Sequence, residues 1–142
     1  VIIPDANVLL YAYDQSSPRH GPARRWVEET LSGEEPVGFA VVTLVAFLRI
    51  ATNPAIYERP LAPGRAMEIV DSWLARPQVS VVNPSEQHWR VLAEVVERGQ
   101  ARGPLIVDAH LAALAIERGA TLASTDRDFT RFTGLRLRDP LG

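Results

Sequence analysis

The sequence predicts an α/β fold: a three-layer α/β/α sandwich around a parallel sheet of about five strands. Two observations carry this. Short apolar, β-rich runs alternate with longer amphipathic ones along the whole chain, and no hairpin turn signal joins any two of the short runs. Strands separated by helices pair in parallel through crossovers, so helices must cover both faces of the sheet.

The first strand is expected at Val1–Ile3, followed by Asp5 and the apolar helical stretch Val8–Leu10. In the next pattern Ala23, Trp26, Val27, Thr30 and Leu31 fall at i, i+3, i+4, i+7 and i+8, one face of a helix. Ser17 with Pro18 should open it and Gly33 should close it. A second strand, Val37–Val42, leads into a helix carrying Leu44, Phe47, Leu48 and Ala51. That helix must stop at Asn53, because Pro54 disfavours the helical conformation before it. Ala66, Ile69, Val70, Trp73 and Leu74 mark a further helix that ends before Pro77, and Val79–Val82 is the third strand.

Asn83, Pro84 and Glu86 have the form of an N-cap, a first-turn proline and the N3 acid of a capping box. A helix is therefore expected from there, with Trp89, Leu92, Ala93 and Val96 turned inward. The last long pattern runs from about Ile106 to Arg118 with Gly119 as its stop. Thr121–Ala123, a short helix containing Phe129 and Phe132, and Leu135–Leu137 complete the chain.

At 142 residues the chain fits one domain, residues 1–142, with a single core. It has no cysteine, which excludes disulfides, thiolate metal sites and cysteine nucleophiles. No run approaches the ~20 apolar residues of a membrane helix, and the first residues lack the basic start of a signal peptide. A cytoplasmic protein is expected. A net charge of −2 argues against coating nucleic acid by bulk positive charge, so any such contact must be local. All 15 basic residues are arginine; a guanidinium suits phosphate, but a GC-rich genome favouring arginine codons accounts for the count better.

In parallel sheets ligands bind outside the carboxyl ends of the strands. Asp5 directly follows the first strand, and Asp126 follows Thr121–Ala123 after Ser124 and Thr125. Asp108 shares a helix face with Leu111, Ala112, Ala115 and Ile116, so it should face the protein and sit in the favourable first turn. Singly, Asp5 and Asp108 also suit the cap or start of a helix, and Asp126 and Asp128 a turn before the short helix containing Phe129 and Phe132. Together on one sheet edge they repel one another unless a cation lies among them. An oxygen-only set suits magnesium or manganese, and such an ion supports in-line hydrolysis of a phosphodiester.

Other polar residues carry weaker signals. His20, His88 and His110 are scattered and suit packing or surface roles. Trp26, Trp73 and Trp89 lie on apolar stripes and are expected in the core or an interface. Arg127, Arg131, Arg136 and Arg138 cluster near the acid edge, where they suit RNA phosphates or a solvated face alike.

The segments PDANVLLYAYDQSSPRH and LIVDAHLAALAIERGATLASTDRDFTRF resemble the start and end of a VapC-type PIN-domain toxin. The matching motifs are Asp5-x-Asn7 before an apolar helix, Asp108–Ala109 opening an Ala/Leu-rich helix, and Ser124-x-Asp126-x-Asp128–Phe129. The resemblance implies a metal-dependent endoribonuclease acting on RNA, a homodimer, and neutralisation by a VapB-like antitoxin whose tail enters the acidic groove. It implies Asp5, Asp108 and Asp126 as metal-binding acids, Asp128 as an additional one, Asn7 as arranging the first acid, and Ser124 as a hydroxyl lining the site.

One position departs from the pattern. The family's glutamate before a stretch like Phe47–Pro54 is replaced by Ala46, and no other acid lies between Pro36 and Tyr57. The alternative is therefore a catalytically impaired PIN domain that binds RNA or antitoxin without cleaving. A dehalogenase-like phosphatase also starts with a strand and an Asp, but it needs a second acid two residues on, where this chain has Asn7.

Overall fold

Five strands, Ile2–Pro4 (β1), Val37–Ala40 (β2), Val79–Val82 (β3), Thr121–Ala123 (β4) and Arg136–Arg138 (β5), form one sheet in the order β3-β2-β1-β4-β5. Every pairing is parallel, as the absence of hairpin signals requires. The computed structural model describes all 142 residues, Val1–Gly142. Six helices connect the strands: Ala6–Tyr11 (α1), His20–Ser32 (α2), Val41–Ala51 (α3), Pro63–Leu74 (α4), His88–Gly99 (α5) and Leu105–Glu117 (α6); a 3-10 turn spans Arg127–Arg131.

The sheet separates two apolar cores. On one side Val8, Val27, Phe47, Ile69 and Trp73 of α1–α4 pack with Val37 and Phe39 of β2. The Trp73 ring stacks on Phe39 at 5.4 Å between centroids. On the other side Leu111 and Leu114 of α6, Val95 of α5, Phe129 and Phe132 pack with Ile3, Val82 and Leu122. Alternate strand residues thus serve opposite cores, as the pleat dictates.

The expected helices are all present, with shifted edges. β2 ends at Ala40, two residues early, because Val41 and Val42 already belong to α3. The helix expected to open at Ser17–Pro18 starts at His20; Ser17 instead organises the preceding turn, its Oγ accepting from the Arg19 N–H at 3.1 Å. α6 and its stop agree closely, with Gly119 at φ +62°, a conformation that suits glycine.

The largest correction falls on α5. Asn83, Pro84 and Glu86 form no capping box, and the helix begins at His88. Its inward face carries His88, Val95 and Gly99, with Leu92 and Val96 packed on the core as expected, while Trp89 is 79% exposed and Ala93 faces solvent. Trp26 is half-buried, and only Trp73 is a core tryptophan. Gly99 is required by packing: a Cβ there would meet the Phe132 ring at 2.7 Å. No helix is long and apolar enough to cross a membrane.

Candidate active site

β1 and β4 are neighbours at the centre of the sheet, and the chain winds away from them in opposite directions. The crevice beyond their carboxyl ends is the topological switch point, where open α/β sheets bind ligands. Asp5 leaves the end of β1 and its N–H donates to Ala123 O of β4 at 2.8 Å. Its carboxylate caps α1, with Oδ1 accepting from the Ala6 N–H at 2.8 Å. Asp126 caps the 3-10 turn after β4, accepting from the Asp128 N–H at 2.9 Å. Asp108 comes from the first turn of α6.

Carboxylate oxygens of Asp108, Asp126 and Asp128 lie within 4.8 Å of one another. Asp5 stands beside this trio rather than within it, close enough for its charge to act on Asp108. Burial pushes the Asp108 carboxyl up to about 6, and the charges of Asp126, Asp5 and Asp128 push in the same direction; the Arg131 guanidinium partly opposes them. Burial also raises Asp5, against the lowering effect of its bonds from Ser124 and Ala6. These acids are crowded as they stand, which is the electrostatic condition a cation relieves.

Ser124, buried at 2% exposure, is the hub of the site. Its Oγ donates to Asp5 Oδ2 at 2.7 Å and accepts from the Asp126 N–H at 3.0 Å and from Asn7 Nδ2 at 3.4 Å. Asn7 Nδ2 also donates to Thr125 Oγ1 at 3.0 Å, while Asn7 Oδ1 is buried without a partner. An orphaned buried acceptor on Asn7, whose amide bonds the same Ser124 that holds Asp5, and four acids that are all hard oxygen donors together fit magnesium or manganese with its bound water.

All six residues singled out in the sequence therefore meet at one sheet edge. Thr125 was missed, although its place between Ser124 and Asp126 was a signal. The arginines divide. Arg131 is near Asp108 and donates to Gly99 O at 3.1 Å. Arg136 does not lie at the acid edge: it starts β5 and donates to Gly119 O at the opposite end of the sheet. Ala46 is half-buried in α3 and brings no ligand. A cavity of about 570 Å³, lined by Leu10, Tyr13, Tyr57, Glu58 and Leu61 among others, includes none of Asp5, Asp108, Asp126 and Asp128. The acid site is identified by its chemistry, not by depth.

The PIN domain family model matches residues 2–135. The ribonuclease VapC37 of Mycobacterium tuberculosis is 46% identical, over 97% of this chain and 96% of its own. Ribonuclease VapC33 of the same species is 36% identical over 99% of both. Among solved structures, VapBC2 from Rickettsia felis bound to a promoter DNA fragment matches with a TM-score of 0.69 at 16% identity, covering 96% of each chain. M. tuberculosis VapC20, a sarcin-ricin loop cleaving toxin, gives 0.65 at 19% identity over 96% of this chain and 99% of that one. At such identities the structures bear on the fold, and the full-length relatives bear on the family.

Proposed function

Because this chain belongs to the PIN-domain family and, within it, to the VapC ribonucleases of toxin–antitoxin systems, we propose that Asp5, Asp108, Asp126 and Asp128 hold magnesium or manganese where RNA phosphodiester bonds are hydrolysed. The observation that carries this reading is the meeting of the Asp108, Asp126 and Asp128 oxygens within 4.8 Å, beside an Asp108 carboxyl held near 6. A divalent ion bound there acidifies a water molecule and neutralises charge on a phosphate oxygen.

The chain's own residues supply position. Ser124 holds Asp5 and Asp126 to one hydroxyl, so the two strand-end acids keep a fixed separation. Asn7 ties the turn Ser124–Thr125 to the start of α1. Arg131 places a guanidinium near the acids, where a bidentate grip on a neighbouring RNA phosphate offsets the repulsion between substrate and carboxylates.

Related toxins have been crystallised with partner chains, among them VapBC2 of Rickettsia felis and FitAB. The same reading gives this chain a cognate VapB-like antitoxin whose cationic group enters the acid crevice, a homodimeric state, and action on cytoplasmic RNA. The test is RNA cleavage by wild type and Asp126→Asn in magnesium, in manganese and in chelator, with melting temperature as a second readout. Cleavage is expected with either ion and absent in chelator and in the variant, whose melting temperature manganese should no longer raise. Undiminished cleavage in chelator, or by the variant, overturns the assignment.

A further inference from the structure

Outside the acid crevice, a chain of hydrogen bonds crosses the contact between α5 and α6. Glu117, with a side chain only 2% exposed, accepts from the Ser85 N–H at 2.9 Å and lies 2.8 Å from His88 Nδ1. His88, itself buried, places Nε2 2.9 Å from His110 Nδ1. Arg118, next to Glu117 in sequence, does not pair with it and donates to the Asn83 carbonyl instead. Glu117 and Arg118 hold the loop at Asn83 and Ser85, and His88 pairs with Glu117, so the second imidazole is not needed to anchor the loop.

A carboxylate oxygen accepts, so His88 Nδ1 carries the proton shared with Glu117, and in the neutral imidazole Nε2 then presents a lone pair. A carboxylate behind an imidazole in this way orients and strengthens it as a metal ligand. His110 lies on α6 seven residues before Glu117, on the same helix face, and brings a second ring nitrogen to the same point.

We propose that His88 Nε2 and His110 Nδ1 form a second cation site, selective for zinc-like divalent ions, with Glu117 orienting His88 and water completing the coordination. Zinc–nitrogen bonds of about 2.0–2.1 Å at a tetrahedral angle set two ligating nitrogens about 3.4 Å apart. The present 2.9 Å therefore has to open by only about 0.5 Å. His88 is held through Nδ1 by Glu117, and His110, half-buried, is the ring that turns. When the ion enters, the proton on His110 Nδ1 leaves to solvent and Nε2 of that ring takes one up, so both imidazoles stay neutral. Nitrogen donors separate this site from the oxygen-only crevice: it prefers zinc, nickel or copper over magnesium.

The test uses untagged full-length protein carrying Asp126→Asn, in excess magnesium, titrated calorimetrically with zinc chloride. The substitution weakens the oxygen crevice as a zinc site, so the result does not depend on how that crevice is read. One equivalent of zinc should bind saturably and raise the melting temperature. Adding Glu117→Gln should weaken binding about 10- to 100-fold. Its amide oxygen still accepts from Ser85, but its NH2 donates to His88 Nδ1 and forces the ring proton onto Nε2. Adding His110→Ala should weaken binding as much, and this half-exposed position decides the matter if the Glu117 variant does not fold. Absence of saturable zinc binding, or undiminished affinity in a folded variant of either kind, overturns the proposal.

Discussion

Ser124 Oγ donates to Asp5 Oδ2 at 2.7 Å across 119 residues of sequence, and the same oxygen accepts from the Asp126 N–H at 3.0 Å. One buried hydroxyl thereby sets two acids that no local backbone geometry relates. Its loss frees the Asp5 carboxylate to rotate and removes the bond that lowers its pKa. Ser124→Ala should cost about 2 kcal/mol of stability, since a buried bond to a charged group is lost. RNA cleavage should fall at least about tenfold, the equivalent of ~1.4 kcal/mol in the barrier. Thermal melts and single-turnover rates check this; a destabilised variant with an undiminished rate would show that the hydroxyl stabilises the fold without arranging the acids.

Asp108 gives the metal-free protein a pH dependence of definite sign. Its folded pKa, about 6, lies above the ordinary 3.8, mainly because burial disfavours the charged form. The folded chain therefore holds that proton more tightly than the unfolded one. The stabilisation is complete below the ordinary value and is lost as pH rises through about 6. In chelator, Asp108→Asn should gain on wild type between about pH 4 and pH 7, by roughly 1 kcal/mol once solvent screening of a half-exposed carboxyl is allowed for. Magnesium should reverse the order at neutral pH, because it stabilises only the protein that binds it. A difference in melting temperature that stays constant with pH would place the titration elsewhere.

The acid edge was legible because strand ends and helix starts are local properties. The apolar runs Val79–Val82 and Thr121–Ala123 form strands over those same residues, and the acids that follow β1 and β4 meet because those two strands are parallel and adjacent in the sheet. What escaped depends on distant partners. Asn83, Pro84 and Glu86 have good capping chemistry, yet the Ser85 N–H is taken by Glu117, 32 residues away, and the helix starts later. The stripe of Val91, Leu92, Val95 and Val96 lines up with His88 and Gly99, which are buried, and leaves Trp89 exposed. Arg136 was misplaced for a simpler reason: its sequence position is close to Asp126, but β5 begins at the far end of the sheet.

Arg131 should separate substrate binding from chemistry. Its guanidinium donates to Gly99 O at 3.1 Å and its charge reaches Asp108. Arg131→Gln keeps a donor for the carbonyl and removes the cation. For single-stranded RNA, losing one phosphate contact should reduce the slope of log binding constant against log salt by about 0.7. KM should rise more than kcat falls. Fluorescence anisotropy on an Asp126→Asn background measures the slope without cleavage; an unaltered slope would mean that Arg131 only braces the loop after α5.

Ala46 stands where the family pattern has a glutamate, on α3, whose N-terminus follows directly from the end of β2 at the crevice side of the sheet. The acid cluster consequently holds one negative charge fewer than that pattern supplies. Divalent affinity at oxygen sites follows ligand charge and number, so one principal ion should bind weakly, with water completing its shell. Ala46→Glu should then tighten magnesium and manganese binding and raise the melting temperature more in magnesium than in chelator. In chelator the same change should destabilise the fold, because a further carboxylate joins acids that already push Asp108 up to about 6. Melting-temperature titrations of both proteins with each ion, paired with RNA cleavage rates, read the two effects separately. A variant whose melting temperature responds to magnesium as wild type does would show that position 46 points away from the crevice, and that this chain builds its metal site from Asp5, Asp108, Asp126 and Asp128 alone.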